Sequence, residues 1–305
     1  MEQIYDVIVI GGGPSGFGAA LYTTRAGLST LVFEKQGVGG QMMLTDIIDN
    51  YPGFNDGVEG FILSENMKKG AERFGAKTVY KDVVSVDFSK EIKEINTKKE
   101  TFFAKSVIVA SGANPKKLGL ISEEKFLNRG VHYCAHCDGR FYKDKTVAVI
   151  GGGNSAASDA LYLSKLCKKV YLIHRRDSLR ATKIYHEPLK TAQNVEFLWN
   201  STVEEFIGEN KLTAIKVKNL IADEISELEL DGVFVSIGRS PNTEFLEGAL
   251  ELQNGFIVAD ETTKTNIKGV FAAGDVRTKA LRQVITAAAD GATSAHFAEE
   301  YLNEK

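Results

Sequence analysis

Two stretches of the chain repeat one another at an offset of 140 residues. Gly11 to Lys35 reads GGGPSGFGAALYTTRAGLSTLVFEK, and Gly151 to Arg175 reads GGGNSAASDALYLSKLCKKVYLIHR. Each copy follows a short apolar run, Val7 to Ile10 or Val147 to Ile150, and passes through a helix-like stretch into a second run, Leu31 to Phe33 or Val170 to Ile173. Short apolar, β-branched runs bounded by glycines read as buried strands, so the repeat spells strand, helix, strand twice. Strands alternating with helices form a parallel sheet covered on both faces. The expected fold class is therefore α/β: two Rossmann-like doubly wound dinucleotide-binding domains, the second inserted into the first.

The punctuation between the copies says where the insertion begins and ends. A strand at Val107 to Ala110 exits through Ser111-Gly112-Ala113-Asn114-Pro115, and one at Gly232 to Ile237 exits through Gly238-Arg239-Ser240-Pro241-Asn242. Each Pro-containing exit marks a crossing. A further strand at Val270 to Ala273 ends at Gly274-Asp275, and the Ala-rich helix expected from about Leu281 returns to the first sheet. The domains are thus expected at 1–114, 115–243 and 244–305, the first and third being one domain. The 305 residues agree with about two domains at roughly 150 residues each.

Composition excludes several classes. At 43% hydrophobic and 25% charged the chain is not disordered, and a net charge of −3 offers no basic surface for nucleic acid. No run reaches 18 apolar residues, so no membrane span is expected. Met1-Glu2-Gln3 enters the run Ile4 to Ile10 without a basic leader. Three cysteines are too few for a disulfide-stapled secreted protein, and the cytoplasm is the expected compartment.

In the first copy, Gly11-x-Gly13-x-x-Gly16 follows a strand and opens a helix, and Glu34 ends the second strand 23 residues after Gly11. Gly11 permits the turn, Gly13 lets backbone approach a pyrophosphate and Gly16 allows close helix packing. The acid suits a ribose hydroxyl pair. The second copy, Gly151-x-Gly153-x-x-Ala156, carries His174-Arg175-Arg176 where the first has its acid, with Arg180 a helical turn on. Guanidinium forks suit a 2′-phosphate, so the twins are expected to hold different dinucleotides, FAD and NADPH being the simplest pair.

Cys134-Ala135-His136-Cys137-Asp138 precedes the second glycine loop. A C-x-x-C supplies an exchangeable disulfide, and a carboxyl beside it is a candidate general acid. Zinc is disfavoured, because His132, Cys134, His136 and Cys137 span only six residues and can hardly surround an ion tetrahedrally. Cys167 reads as a buried free thiol. Asp275, at a strand end, is either an acceptor for a polyol or a helix N-cap.

Together GGGPSG at 11–16, GGQ at 39–41 with Asn50-Tyr51-Pro52-Gly53, CAHCDG at 134–139, GGGNSA at 151–156, HRRDSLRA at 174–181 and GVFAAGDV at 269–276, followed by Arg282-Gln283-Val284, resemble the low-molecular-weight thioredoxin reductases from residue 4 to near the end. The resemblance implies an FAD domain in two segments, an inserted NADPH domain carrying the cysteine pair, a homodimer, and a rotation that lets the flavin meet nicotinamide or disulfide in turn. It implies an FAD site of Gly11, Gly13, Pro14, Ser15, Gly16, Glu34, Lys35, Gly39, Gly40, Gln41, Thr45, Asn50, Asp275, Arg282, Gln283 and Val284. It implies an NADPH site of Gly153, Asn154, Ser155, Ala156, His174, Arg175, Arg176 and Arg180. Electrons would pass from NADPH through FAD to a Cys134–Cys137 disulfide and on to a thioredoxin-like protein, with Asp138 as acid and Cys137 nearer the flavin.

The chain departs from the family pattern at His136, where Thr or another uncharged residue is usual, at Ser158-Asp159, where two acids are usual, and at Ser15, where Ala is usual. Two other readings keep the flavin: reduction by a ferredoxin, against which the arginines argue, and a redox sensor without fast turnover. With no room before Ile4 for a thioredoxin-like region, the acceptor is expected to be a separate protein.

Overall fold

The computed structural model describes residues 3–35, 37–45 and 47–304, apart from the Leu44 side chain. The chain divides into two compact units, one running to Asn114 and resuming at Ser240, the other spanning Pro115–Arg239.

At the centre of the first unit lies Ile4–Ile10, paired in parallel with Thr30–Glu34 on one side and Thr101–Val109 on the other. Val7, Ile8 and Val9 are fully buried, as a strand covered on both faces requires. Lys77–Tyr80 extends the parallel side beyond Thr30–Glu34. Lys93–Thr97 and Val83–Asp87 continue the opposite side antiparallel, an addition the strand-helix alternation does not announce. The chain returns as Val270–Ala272, parallel to Thr101–Val109, so the last segment belongs to the same seven-stranded sheet.

Helix Pro14–Arg25 lies against the closing helix Val284–Asn303 with almost no side chain between them. A Cβ on Gly291 would stand 2.3 Å from the Ser15 carbonyl oxygen, and one on Gly18 would stand 3.0 Å from that of Ala288. The Ala-rich composition of the closing helix, with Gly291 at the contact, is what permits this approach. It starts at Val284, three residues beyond Leu281, because Gln283 and Thr286 exchange reciprocal capping hydrogen bonds there.

The second unit holds an all-parallel five-stranded sheet in the order Val131–His132, Gly232–Val235, Thr146–Ile150, Lys169–Ile173, Val195–Leu198. Helix Asn154–Ser164 buries Ala156, Ala157, Ala160 and Leu163 in its core. A separate antiparallel sheet of Ser201–Gly208, Leu212–Asn219 and Glu224–Glu229 follows. Its Val203, Phe206, Ile215 and Val217 join Ile150, Ile173 and Val233 in one cluster. These strands alternate apolar with charged letters, and the alternation, not a continuous apolar run, is their signal.

The links Ala113–Pro115 and Arg239–Pro241 pair as a two-stranded ribbon. Beside it the Asn242 amide N–H donates to Gly112 O at 3.0 Å, and its side chain donates to Ser111 O at 2.8 Å. Among the described residues no helix is long and apolar enough to cross a membrane.

Candidate functional site

The two glycine loops adopt one conformation. Gly11 and Gly151 have φ of +115° and +145°, which favours glycine. Gly13 and Gly153 then N-cap their helices in extended conformation, and neither helix start has a side-chain cap. A Cβ on Gly13 or Gly153 would meet nothing within 4 Å, so space lies open over two uncapped helix N-termini. A Cβ on Gly16, by contrast, would lie 1.8 Å from Gly11 O. Both loops therefore fit the phosphates of a dinucleotide.

At the first loop, one Glu34 carboxylate oxygen accepts the Gly12 N–H at 2.8 Å, and the other accepts the N–H groups of Lys35 and Gly37 at 2.8 and 3.3 Å. The acid is thereby oriented beside the loop. The Lys35 ammonium is paired with Asp82 at 3.0 Å. Gly39 donates to Gly12 O at 2.8 Å, which brings the 39–41 segment to the glycine loop. Gln41 donates to Asn114 at 3.0 Å, Asn50 donates to Gln283 at 3.0 Å, and Arg282 donates to the Asp275 carbonyl at 3.3 Å. Thr45 closes the 3₁₀ turn Gly40–Leu44, its N–H donating to Met42 O. Residues widely separated in sequence are thus joined by hydrogen bonds within the first unit.

Behind Asp275 lies a charge cluster that sequence reading passes over. Asp290 Oδ2 accepts from the Gly274 N–H, Arg277 Nε and Lys279 Nζ, each at 2.8 Å. Burial pushes the Asp290 carboxyl up, but the hydrogen bonds from Arg277, Lys279 and Gly274 outweigh it and hold the group below its ordinary value. Arg277 is raised in turn, chiefly by its hydrogen bond to Asp290.

At the second loop a cavity of about 750 Å³ is lined by Gly151 to Ser155 together with His174, Arg175, Arg180 and Thr182. The HRRDSLRA segment folds back over the loop: Arg180 and Ala181 donate their N–H groups to Gly152 O at 2.7 and 3.1 Å, and Asn154 accepts from the Thr182 N–H at 2.8 Å. Arg176 and Ala156 are not among the lining residues. Burial, with the charges of Arg180, Arg176 and Arg175, lowers the buried His174 imidazole, and its Nε2 has no hydrogen-bond partner.

Cys134 and Cys137 form a disulfide with Cα atoms 5.3 Å apart. Cys134 starts the short helix Ala135–Asp138, and its carbonyl accepts the N–H groups of Cys137 and Asp138 at 3.2 and 3.1 Å. His136 is exposed, with its ring 4.3 Å from that of Tyr162. Burial raises the Asp159 carboxyl, against a hydrogen bond from Ser236 and the charges of His136 and Arg239. Cys167 is buried, and burial pushes its thiol up to about 11, which leaves it unreactive at neutral pH. The arrangement offers two open glycine loops, the second of which lines a cavity, and one oxidised thiol pair followed directly by the Asp138 carboxyl.

The family model described as pyridine nucleotide-disulphide oxidoreductase matches residues 5–291. The chain belongs to this family, and within it to the thioredoxin reductases. It is 45% identical to the thioredoxin reductase of Listeria innocua over 99% of this chain and 95% of that protein. It is equally identical to that of Treponema pallidum over 99% of each. The crystal structure of thioredoxin reductase from Streptococcus pyogenes covers all of both chains with a TM-score of 0.93 at 37% identity. The chain is thus an oxidoreductase with Cys134–Cys137 as its redox disulfide, and membership implies a flavin and a pyridine nucleotide.

Proposed function

We propose that the chain is an NADPH-dependent thioredoxin-disulfide reductase that uses FAD. The reading is carried by the Cys134–Cys137 disulfide standing in the same unit as a cavity that combines an open glycine loop with Arg175 and Arg180. When bound, FAD would take a hydride from NADPH and supply two electrons to the disulfide.

In this reading the unit that runs to Asn114 and resumes at Ser240 forms the FAD domain and Pro115–Arg239 the NADPH domain, a return four residues earlier than the 244 expected from the sequence. Gly13, with Pro14, Ser15 and Gly16 at the helix start, would receive the FAD pyrophosphate, and Glu34 would accept from the ribose hydroxyls. Gly39, Gly40, Gln41, Thr45, Asn50, Asp275, Arg282, Gln283 and Val284 would enclose the rest, with Lys35 at the rim. Gly153, Asn154, Ser155 and Ala156 would form the second phosphate cradle, and His174 would close over it. Arg175 and Arg180, aided by Arg176, would pair with the 2′-phosphate, which carries the preference for NADPH over NADH.

Two electrons entering the disulfide break the S–S bond. Asp138 gives its proton to one sulfur, and the other remains a thiolate. A thiolate of the pair then attacks the disulfide of a thioredoxin-like protein, and the second cysteine resolves the mixed disulfide. The protein is proposed to act as a cytoplasmic homodimer with a separate acceptor.

Stopped-flow mixing with NADPH tests this. Prompt loss of flavin absorbance, and NADPH oxidation that depends on a disulfide-bearing thioredoxin-like protein and on both cysteines, are expected. A flavin that bleaches only with reduced ferredoxin favours the ferredoxin-driven alternative. Slow reduction by every donor leaves a sensor.

A further inference from the structure

The edge strand Val131–His132 pairs in parallel with Gly232–Val235, and its register sets His132 beside Phe234. The two rings stack with centroids 5.4 Å apart and planes 27° off parallel. Tyr142 packs edge-on to both rings, over Gly232, where a Cβ would stand 2.3 Å from the phenol ring. Only 7% of His132 is exposed, and both of its nitrogens face side chains. Nε2 lies 2.8 Å from the Tyr142 hydroxyl, and Nδ1 lies 3.2 Å from Asp138 Oδ2.

The proton positions follow from the partners. Burial above all, with the charge of Asp231, pushes the Tyr142 phenol above its ordinary value, so it keeps its proton. A protonated phenol can donate to Nε2 or accept from it, and the Asp138 oxygen at Nδ1 favours the first arrangement, in which a neutral imidazole accepts at Nε2 and carries its own hydrogen on Nδ1. That hydrogen faces Asp138. The pair is within ion-pair reach but short of hydrogen-bond alignment, and Nδ1 has no other hydrogen-bond partner. Contacts of catalytic groups commonly tighten only in the reacting complex.

We propose that His132, its tautomer fixed by Tyr142, is a positioning residue for Asp138. The proposal rests on the acid role given above to Asp138. As the S–S bond breaks under two electrons from the enzyme's reductant, one sulfur takes the Asp138 proton and the other keeps a negative charge. Asp138 is left as a carboxylate, and His132 Nδ1–H is the donor that meets it. The imidazole thus stabilises the product of the proton transfer and holds the carboxyl toward the cysteines. If His132 served only to fill space between Phe234 and Tyr142, any ring of similar size would replace it.

The test uses the holoenzyme and four variants: His132→Phe, His132→Asn, His132→Gln and Tyr142→Phe. An Asn amide can place its N–H₂ where Nδ1 stands, whereas a Gln amide reaches the Nε2 position. In single turnover, H132F and H132Q are expected to reduce the Cys134–Cys137 pair more slowly by about tenfold to a hundredfold, no more than the lower end of what a general acid itself contributes, as suits a residue that acts through one. H132N is expected to recover most of the rate, and the KM for NADPH is expected to hold in all four. ¹⁵N spectra of histidine-labelled wild type are expected to report His132 as the Nδ1–H tautomer, with loss of that single state in Y142F. A wild-type rate in H132F, equal slowing in H132N and H132Q, or an Nε2–H tautomer in the wild type overturns the proposal. Should H132F not fold, the H132N and H132Q comparison decides. A wild type that cannot reduce a disulfide partner at all would instead overturn the function proposed above, and the tautomer is read independently of turnover.

Discussion

Gly152 lies so close beneath the imidazole of His174 that a Cβ on residue 152 would stand 2.4 to 2.5 Å from three of its ring atoms. The middle glycine of the second loop is therefore fixed by the side chain that lines the cavity beside it, and not by a turn. Gly152→Ala is expected to cost about 1–3 kcal/mol through overpacking, and to raise the KM for NADPH while the flavin absorbance is unchanged. The double variant G152A/H174A removes the clash and is expected to regain stability relative to G152A alone. Thermal unfolding of the four members of the cycle reads the coupling, and strict additivity would contradict it.

The cavity lining separates three arginines that look alike in sequence. Arg175 and Arg180 face the cavity and Arg176 does not. Arg175→Gln and Arg180→Gln are each expected to raise the KM for NADPH about tenfold or more, as loss of a hydrogen bond to a charged group does. The KM for NADH is expected to be unaffected, and Arg176→Gln is expected to have a smaller effect. Equal changes for both nucleotides in steady-state assays would remove the 2′-phosphate role.

Glu34 holds the Gly12 N–H and is proposed to accept from a ribose as well. Glu34→Ala leaves that amide without its acceptor and is expected to weaken flavin binding by about 1–3 kcal/mol. The ratio of flavin to protein absorbance after gel filtration, followed by fluorescence titration of the stripped protein, measures the loss. Full flavin retention would speak against the role.

The Asp290 cluster predicts a pH signature. Its carboxyl is depressed in the folded state, so its contribution is fully present above the unfolded value, about 3.9, and is lost as pH falls through the lower folded value. Asp290→Asn leaves the Arg277 and Lys279 charges short of a partner, and is expected to cost about 3–5 kcal/mol at pH 7. The gap between wild type and variant is expected to close on acidification below pH 4. Unfolding midpoints taken across that window check this, and a gap independent of pH would count against it.

What could be read from the letters alone was what is local. The glycine loops were legible because turn, close approach and helix start all fall within six residues, and the C-x-x-C because its ring closes within one helical turn. His132 was passed over as an acid-positioning group because its contact with Asp138 depends on the register of an edge strand against Phe234. Arg277, Lys279 and Asp290 read as ordinary charges until the loop after Val270–Ala272 folds against the closing helix. Arg176 could not be told from Arg175, since only the backbone path of the 174–181 segment decides which guanidinium enters the cavity. The three-stranded sheet at 201–229 gives a weak signal in the sequence because its apolar letters are diluted by Glu and Lys.

The order of residues also bears on synthesis. A contiguous Pro115–Arg239 unit is complete as soon as its own length leaves the ribosome, and domains generally fold as units. The sheet begun by Ile4–Ile10 waits, one parallel neighbour and one covering helix short, until Val270–Ala272 and Val284–Asn303 are translated. The half of the molecule made first is thus finished last, and a nascent chain stalled before residue 270 would expose the unpaired Val107–Val109 end of the Thr101–Val109 strand to chaperones or to its neighbours.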